Sequence, residues 1–204
     1  MIMKKFLKNI LKFSKKNPKK IAINFNEENL NYNNLINYSN LLIKTFVEQN
    51  SSNIGIFGNR TIVTIISILA TQLCGKTFIP LNPKLPNERL KKIILSSDVD
   101  CIVVSDKSKD RFLNFNNFYN FKLPIFFPVI RNQKFKKKFQ IFIKNKTSNK
   151  KKVKKLTYSK ISYIMFTTGS TGEPKGIKIS YNNLDSYLNN FNKIEKLKEK
   201  DIVS

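Results

Sequence analysis

The stretch Tyr163-Ile164-Met165-Phe166-Thr167-Thr168-Gly169-Ser170-Thr171-Gly172-Glu173-Pro174-Lys175-Gly176-Ile177 decides how this 204-residue chain is read. An apolar run of strand character over 161–166 gives way to hydroxyls and glycines, then to a lysine fixed by the preceding proline, then to a second short strand over 177–179. Gly169, Gly172 and Gly176 permit backbone angles that a side chain forbids, so successive N–H groups can converge on an anion. Thr167, Thr168, Ser170 and Thr171 add hydroxyl donors, and Lys175 adds a mobile positive charge. The expectation is a phosphate-holding loop at the tip of a strand pair.

The spacing is not that of a Walker loop, which carries Lys-Ser/Thr after its second glycine and opens a helix. Here Lys175 is followed by Gly176 and a strand. The run closely resembles the phosphate-binding signature of the adenylate-forming (AMP-binding) superfamily: aromatic, Thr, Ser, Gly, Ser/Thr, Thr, Gly, any residue, Pro, Lys, Gly. Thr168 replaces the usual serine and keeps the hydroxyl.

Working outward, the segments on the N-terminal side resemble the same family. Leu30-Asn31-Tyr32-Asn33-Asn34-Leu35 is similar to its opening Leu-Thr-Tyr-x-x-Leu, with Asn31 for threonine. Phe78-Ile79-Pro80-Leu81-Asn82-Pro83-Lys84-Leu85-Pro86-Asn87-Glu88-Arg89-Leu90 resembles the second core motif of amino-acid-activating members, with Asn82 where aspartate is usual. Its prolines set an extended path and Glu88 is placed to pair with Arg89 or the helix start, so this motif is expected to be structural. After the loop, Ser180-Tyr181-Asn182-Asn183-Leu184 resembles the family's Ser-His-x-Asn-Leu, with Tyr181 for histidine. Asn182 is expected to cap the following helix, whose Leu184, Tyr187, Leu188 and Phe191 share one face and read as core.

The order of elements follows from periodicity. Strands are expected over 21–25, 30–32, 54–57, 78–81 and 101–104, with helices from Asn33, over 60–73 and over 87–96. Alternation of strand and helix predicts an α/β layer with a mainly parallel sheet, flanking helices and right-handed crossovers. The helix before Gly75 is apolar around most of its circumference, so it should be covered on more than one side. Residues 1–20 read as a basic amphipathic surface helix. From 106 to 156 the pattern fails, and the lysine-rich tracts predict a basic flexible loop over 131–156.

Composition narrows the chemistry. No histidine is present, which excludes a Ser-His-Asp or Cys-His site within these residues, and two cysteines far apart make neither a zinc site nor a disulfide framework. Cys74 and Cys101 read as reduced core residues of a cytoplasmic protein. The formal net charge of +25 attracts polyanions in general. Its source is lysine, accompanied by abundant Asn, Ile and Phe, the amino acids of A/T-rich codons. Arginine, the residue suited to bidentate base contacts, is scarce, which argues against nucleic acid. No run is long and apolar enough to span a membrane.

The resemblance implies ATP-dependent activation of a carboxylic acid, most closely an amino acid as in nonribosomal peptide adenylation domains or D-alanine:carrier-protein ligases. It implies ATP and Mg2+, an acid substrate, and a carrier-protein or CoA thiol as acceptor. Thr167, Thr168, Gly169, Ser170, Thr171, Gly172 and Lys175 match the nucleotide phosphate-binding positions. The family's downstream Tyr-Gly-x-Thr-Glu segment, its ribose-binding Asp and its C-terminal lid lysine have no match here. The chain is therefore expected to be the N-terminal part of the large domain, incomplete by itself, with a separate chain able to supply the remainder. The alternatives are an acyl-CoA synthetase-type fragment and a non-catalytic basic remnant that binds nucleic acid or other polyanions.

Overall fold

A computed structural model describes residues 4–25, 28–133, 136–145, 159–168, 173–196 and 198. The chain opens with helix α1 (Lys5–Lys16), then a small antiparallel pair, β1 (Ile21–Phe25) and β2 (Glu28–Asn31), and helix α2 (Tyr32–Glu48). A larger sheet follows: β3 (Asn53–Phe57), helix α3 (Ile62–Leu73), β4 (Thr77–Leu81), helix α4 (Asn87–Ser96) and β5 (Cys101–Val104). Helix α5 (Lys109–Tyr119), β6 (Ile125–Gln133), β7 (Lys136–Lys144), β8 (Ile161–Thr168), β9 (Pro174–Ser180) and helix α6 (Tyr181–Glu195) complete it. The seven strands lie in the order β7-β6-β5-β3-β4-β8-β9. From β6 to β8 neighbours run parallel, and each edge is an antiparallel hairpin.

Strands β3, β4 and β5 are apolar on both faces because helices cover both, as the parallel geometry demands. Alternate residues divide between two cores. Ile54, Ile56, Cys101, Val103 and Phe126 meet α2 and α3, while Phe57, Ile79, Leu81, Ile102, Val104 and Phe127 meet α4 and α5. Phe57, Phe112 and Phe126 are fully buried. Each such side chain contributes about 1.5–3 kcal/mol of transfer free energy, before the entropy of ordering it. Helix α3 buries residues around its circumference, including Ser67, Thr71 and Gln72. It stops at Gly75, whose φ of 66° belongs to the left-handed region.

Several boundaries differ from the sequence reading. Helix α3 begins at Ile62 because Thr61, not Arg60, supplies the cap, its hydroxyl accepting from Thr64 N. Helix α2 begins at Tyr32, capped by Asn31, which accepts from Asn34 N at 2.8 Å. Asparagine thus does the capping that the family's threonine at this position is suited to. In place of the flexible loop expected over 131–156, residues 131–133 and 136–144 belong to the β6–β7 hairpin; residues 146–158 lie outside those described. Phe139 turns inward and stacks on Tyr38, with ring centroids 4.7 Å apart, while Lys138 and Phe142 face solvent. Lysines on the outer strand of a sheet deter edge-to-edge pairing.

Candidate functional site

The loop candidates sit on the β8–β9 hairpin. β8 lies beside β4 and parallel to it, so its carboxyl end, Thr167-Thr168, emerges at the same edge of the sheet as the carboxyl ends of β3 and β4. That edge is where open α/β sheets bind ligands. The antiparallel register pairs Thr167 with Lys175, Phe166 with Gly176 and Met165 with Ile177. Directly opposed residues share a face of the sheet, so a hydroxyl and an ammonium group stand together near the tip, both accessible to solvent. Gly176 does not take the left-handed backbone that glycine alone adopts freely; a Cβ there would lie 3.0 Å from Phe166 Cζ and 3.1 Å from Ile164 Cγ2, so those side chains would have to give slightly.

Of the seven predicted phosphate-binding residues, Thr167 and Lys175 are described in full and Thr168 by its backbone. Gly169, Ser170, Thr171 and Gly172 lie outside the described residues. Thr167, Thr168 and Lys175 belong to the strands themselves rather than to the turn between them. On the far side of the turn, Glu173 Oε1 lies 2.6 Å from Lys92 Nζ on α4. Both partners are exposed, so the bridge contributes at most about 1 kcal/mol. It nevertheless ties the returning strand to α4.

Residues of the motif around Pro80 make contacts within the fold, though not those expected. Asn82 Oδ1 accepts from Lys84 N at 2.9 Å and shapes the turn between β4 and α4. The Glu88 carboxylate reaches past Arg89 and the helix start; its Oε1 accepts from the Tyr119 hydroxyl of α5 at 2.5 Å. That hydrogen bond, foremost, holds the Tyr119 phenol above its usual range. A carboxylate near a neighbouring phenol finds a proton donor that a sequence reading confined to adjacent residues does not see.

At the start of α6, Ser180 replaces Asn182 as the cap. Its hydroxyl accepts from Asn183 N, and Asn183 Oδ1 accepts from Ser180 N, a closed capping box. Asn182 instead accepts from Lys4 Nζ. Tyr181 is buried, and its hydroxyl donates to the Lys76 carbonyl at 2.8 Å. The apolar face of α6, read as core, is largely uncovered: Tyr187, Phe191 and Ile194 are exposed, as are Met165 and Ile177 on the hairpin.

Among the described residues no three of His, Cys, Asp and Glu gather to hold a metal. Glu173, the carboxylate closest to the turn in sequence, is engaged by Lys92. The described residues thus bring no cluster of carboxylates to the hairpin that could hold Mg2+ by itself. What the hairpin offers there is a hydroxyl and an ammonium group side by side, from Thr167 and Lys175. No described helix is long and apolar enough to cross a membrane.

Comparison with known proteins bears on the family and the fold. The model of the AMP-binding enzyme family matches residues 11–204. Bacitracin synthase 2 of Bacillus licheniformis is 24% identical over 193 residues, which is 93% of this chain and 7% of that protein. Gramicidin S synthase 2 of Brevibacillus brevis is 27% identical over 176 residues, 85% of this chain and 4% of that protein. The chain thus spans only a small part of these relatives. Among solved structures, the Vibrio cholerae adenylation domain AlmE in complex with glycyl-adenosine-5'-phosphate superimposes with a TM-score of 0.73 at 21% identity, covering 98% of this chain and 40% of AlmE. VinN gives a TM-score of 0.70 at 15% identity, over 96% of this chain and 48% of its own. At these identities the likeness speaks for the fold alone.

Proposed function

The chain belongs to the AMP-binding enzyme family, and from that premise we propose that it is the phosphate-binding part of an enzyme that activates a carboxylic acid, an amino acid by preference, with ATP. In that reaction a carboxylate oxygen attacks the α-phosphorus, the bond to the bridging oxygen breaks, and pyrophosphate leaves with the electron pair. The thiol of a carrier protein or of CoA then attacks the acyl carbon, forming a thioester as the bond to phosphate breaks and AMP leaves. Thr167, Thr168, Gly169, Ser170, Thr171, Gly172 and Lys175 are assigned to the nucleotide phosphates, with Mg2+ accompanying ATP. Their contribution is orientation and charge stabilisation at the leaving end of the triphosphate. The observation that carries this reading is the register that sets Thr167 across from Lys175 at the carboxyl edge of a parallel sheet.

Amino-acid activation is favoured over CoA-ester synthesis by the Pro80 to Leu90 motif, and the similar synthases point the same way. The remainder of the adenylation domain, from a continuation of the polypeptide or from a separate chain, is assigned to the exposed apolar side chains of the hairpin and α6, Met165 and Ile177 on the one and Tyr187 and Phe191 on the other. A reducing, cytoplasmic setting is consistent with two free, buried cysteines.

ATP–pyrophosphate exchange with a panel of amino acids and other carboxylic acids tests the proposal. Exchange that depends on the acid is expected when the remainder of the domain is supplied, and it should vanish in Lys175→Ala. The 204 residues alone should give none, because groups that act as a unit lose far more together than singly. Acid-dependent exchange by these residues alone, abolished in the same variant, would overturn that division of labour. Exchange untouched by Lys175→Ala would overturn the site.

A further inference from the structure

The hairpin that carries Thr167 and Lys175 is held at its base by buried polar contacts to one short segment, the junction between α3 and β4. Backbone pairing supplies little there: β8 and β4 share a single registered pair, Phe78 with Tyr163, against five between β3 and β4. Side chains supply the rest. Gln72 Nε2 donates to Ser162 Oγ at 2.7 Å, and the Thr77 hydroxyl lies 2.9 Å from the Ile161 carbonyl and 2.8 Å from Ser159 Oγ. The backbone N–H of Ser159 donates to the Gly75 carbonyl at 2.7 Å. These contacts hold the start of β8.

Tyr181 holds the end of β9. Its backbone N–H donates to the Lys160 carbonyl at 3.1 Å, closing the base of the hairpin. Its hydroxyl donates to the Lys76 carbonyl at 2.8 Å, with the Gln72 carbonyl 3.4 Å away. The side chain is 2% exposed, so no water replaces a lost partner cheaply. Both strands are thus referred to residues 72–77, a segment fixed in turn by the left-handed turn at Gly75 and by the buried helix before it.

We propose that Tyr181, supported by Gln72, is a positioning residue that fixes the β8–β9 hairpin against the parallel sheet and so places Thr167 and Lys175 for phosphate contact. The proposal rests on the phosphate-binding reading above. A buried hydrogen-bonded network of this kind specifies one geometry where apolar packing alone tolerates small slides. Hydrogen bonds have narrow distance and angle limits, whereas the Phe78–Tyr163 ring stack, 5.2 Å between centroids, can slip along the strand.

The test uses Tyr181→Phe, which removes one oxygen and keeps the ring. Amide hydrogen exchange is followed along the whole chain, and ATP affinity is measured by titration. Ile125→Val, a mild core loss on β6 with three strands between it and β8, serves as the comparison. The expected result is an increase of about fivefold in exchange across 161–168 and 174–180, the loss of one buried hydrogen bond. A similar loss of ATP affinity should accompany it, with α2 and β3 unchanged. Ile125→Val should leave both readouts at the hairpin as they are. Uniform acceleration over the chain, unchanged hairpin exchange, or local opening with unchanged ATP affinity would each overturn the proposal. Should Tyr181→Phe fail to fold, Ser162→Ala, which removes only the acceptor of Gln72, is read by the same criteria. If wild-type chain binds no ATP while the local exchange effect is present, the phosphate-binding reading fails and the clamp itself stands.

Discussion

Two phenylalanines three positions apart on β7 measure how far the lysine-rich segment is part of the fold. Phe139 is 7% exposed and stacks on Tyr38 at 4.7 Å between centroids with the planes 10° apart. Phe142 is 48% exposed, and the Arg131 guanidinium lies 5.6 Å from its ring centroid. Truncating a buried phenylalanine costs about 3–5 kcal/mol, and the stacked pair accounts for about 1 kcal/mol of it. Because β7 is an edge strand, the site can partly collapse, so Phe139→Ala should cost about 3 kcal/mol. Phe142→Ala forfeits half-exposed surface and an exposed cation–π contact and should cost about 1 kcal/mol or less. Urea denaturation with both variants reads the difference. At a slope of about 2 kcal/mol per molar, the midpoints should fall by about 1.5 M and under about 0.5 M respectively. Equal shifts, or a Phe139 effect below about 1 kcal/mol, would refute the packed hairpin and restore the flexible loop.

Asn31→Ala should destabilise by about 1 kcal/mol through loss of the α2 cap, and Asn31→Thr should restore most of it; thermal denaturation decides. Glu88→Gln should lower the ionisation midpoint of Tyr119 toward 10.0, seen in its ring resonances across a pH titration, because the carboxylate that binds the neutral phenol and repels the phenolate is gone. Burial pushes the Cys74 thiol from 9.0 up to about 12, and Cys101 and Tyr181 are raised in the same way. A folded state that keeps its protons longer than the unfolded chain loses that advantage as pH climbs. Stability should therefore be insensitive to these groups below about pH 9 and fall steadily above it, and urea midpoints that stay flat to about pH 11 would contradict this.

The hairpin was legible because its glycines, hydroxyls and lysine stand at fixed spacing between two apolar runs. The parallel core was legible because β3, β4 and β5 are short apolar runs separated by helical ones, and the helix over Asn87–Ser96 and the strand over Cys101–Val104 have the bounds expected. The β6–β7 hairpin was hidden by composition: lysines at 136–138 drown an alternation that becomes visible only once Phe139 is seen against Tyr38 of α2. Local capping misled at Asn182, since both Ser180 and Asn182 are able caps and only the closed box with Asn183 separates them. The face of α6 was periodic without being covered, because periodicity reports a wish for burial and not the presence of a partner. The clamp at the hairpin base could not be read at all. Gln72 and Ser162 are 90 residues apart, and Lys76 and Tyr181 are 105 apart. No local pattern relates such pairs.

The account turns on whether the hairpin tip, and not the lysine surface at large, receives phosphate. Titration of the chain with ATP, followed by backbone amide resonances in wild type and Lys175→Ala at two salt concentrations, tests this most directly. The account predicts shifts concentrated at Thr167, Thr168 and Lys175 that persist at the higher salt and disappear in the variant. Shifts spread over the exposed lysines of α1 and β7, lost with salt and indifferent to Lys175→Ala, would show non-specific attraction of a polyanion to a basic protein and contradict it.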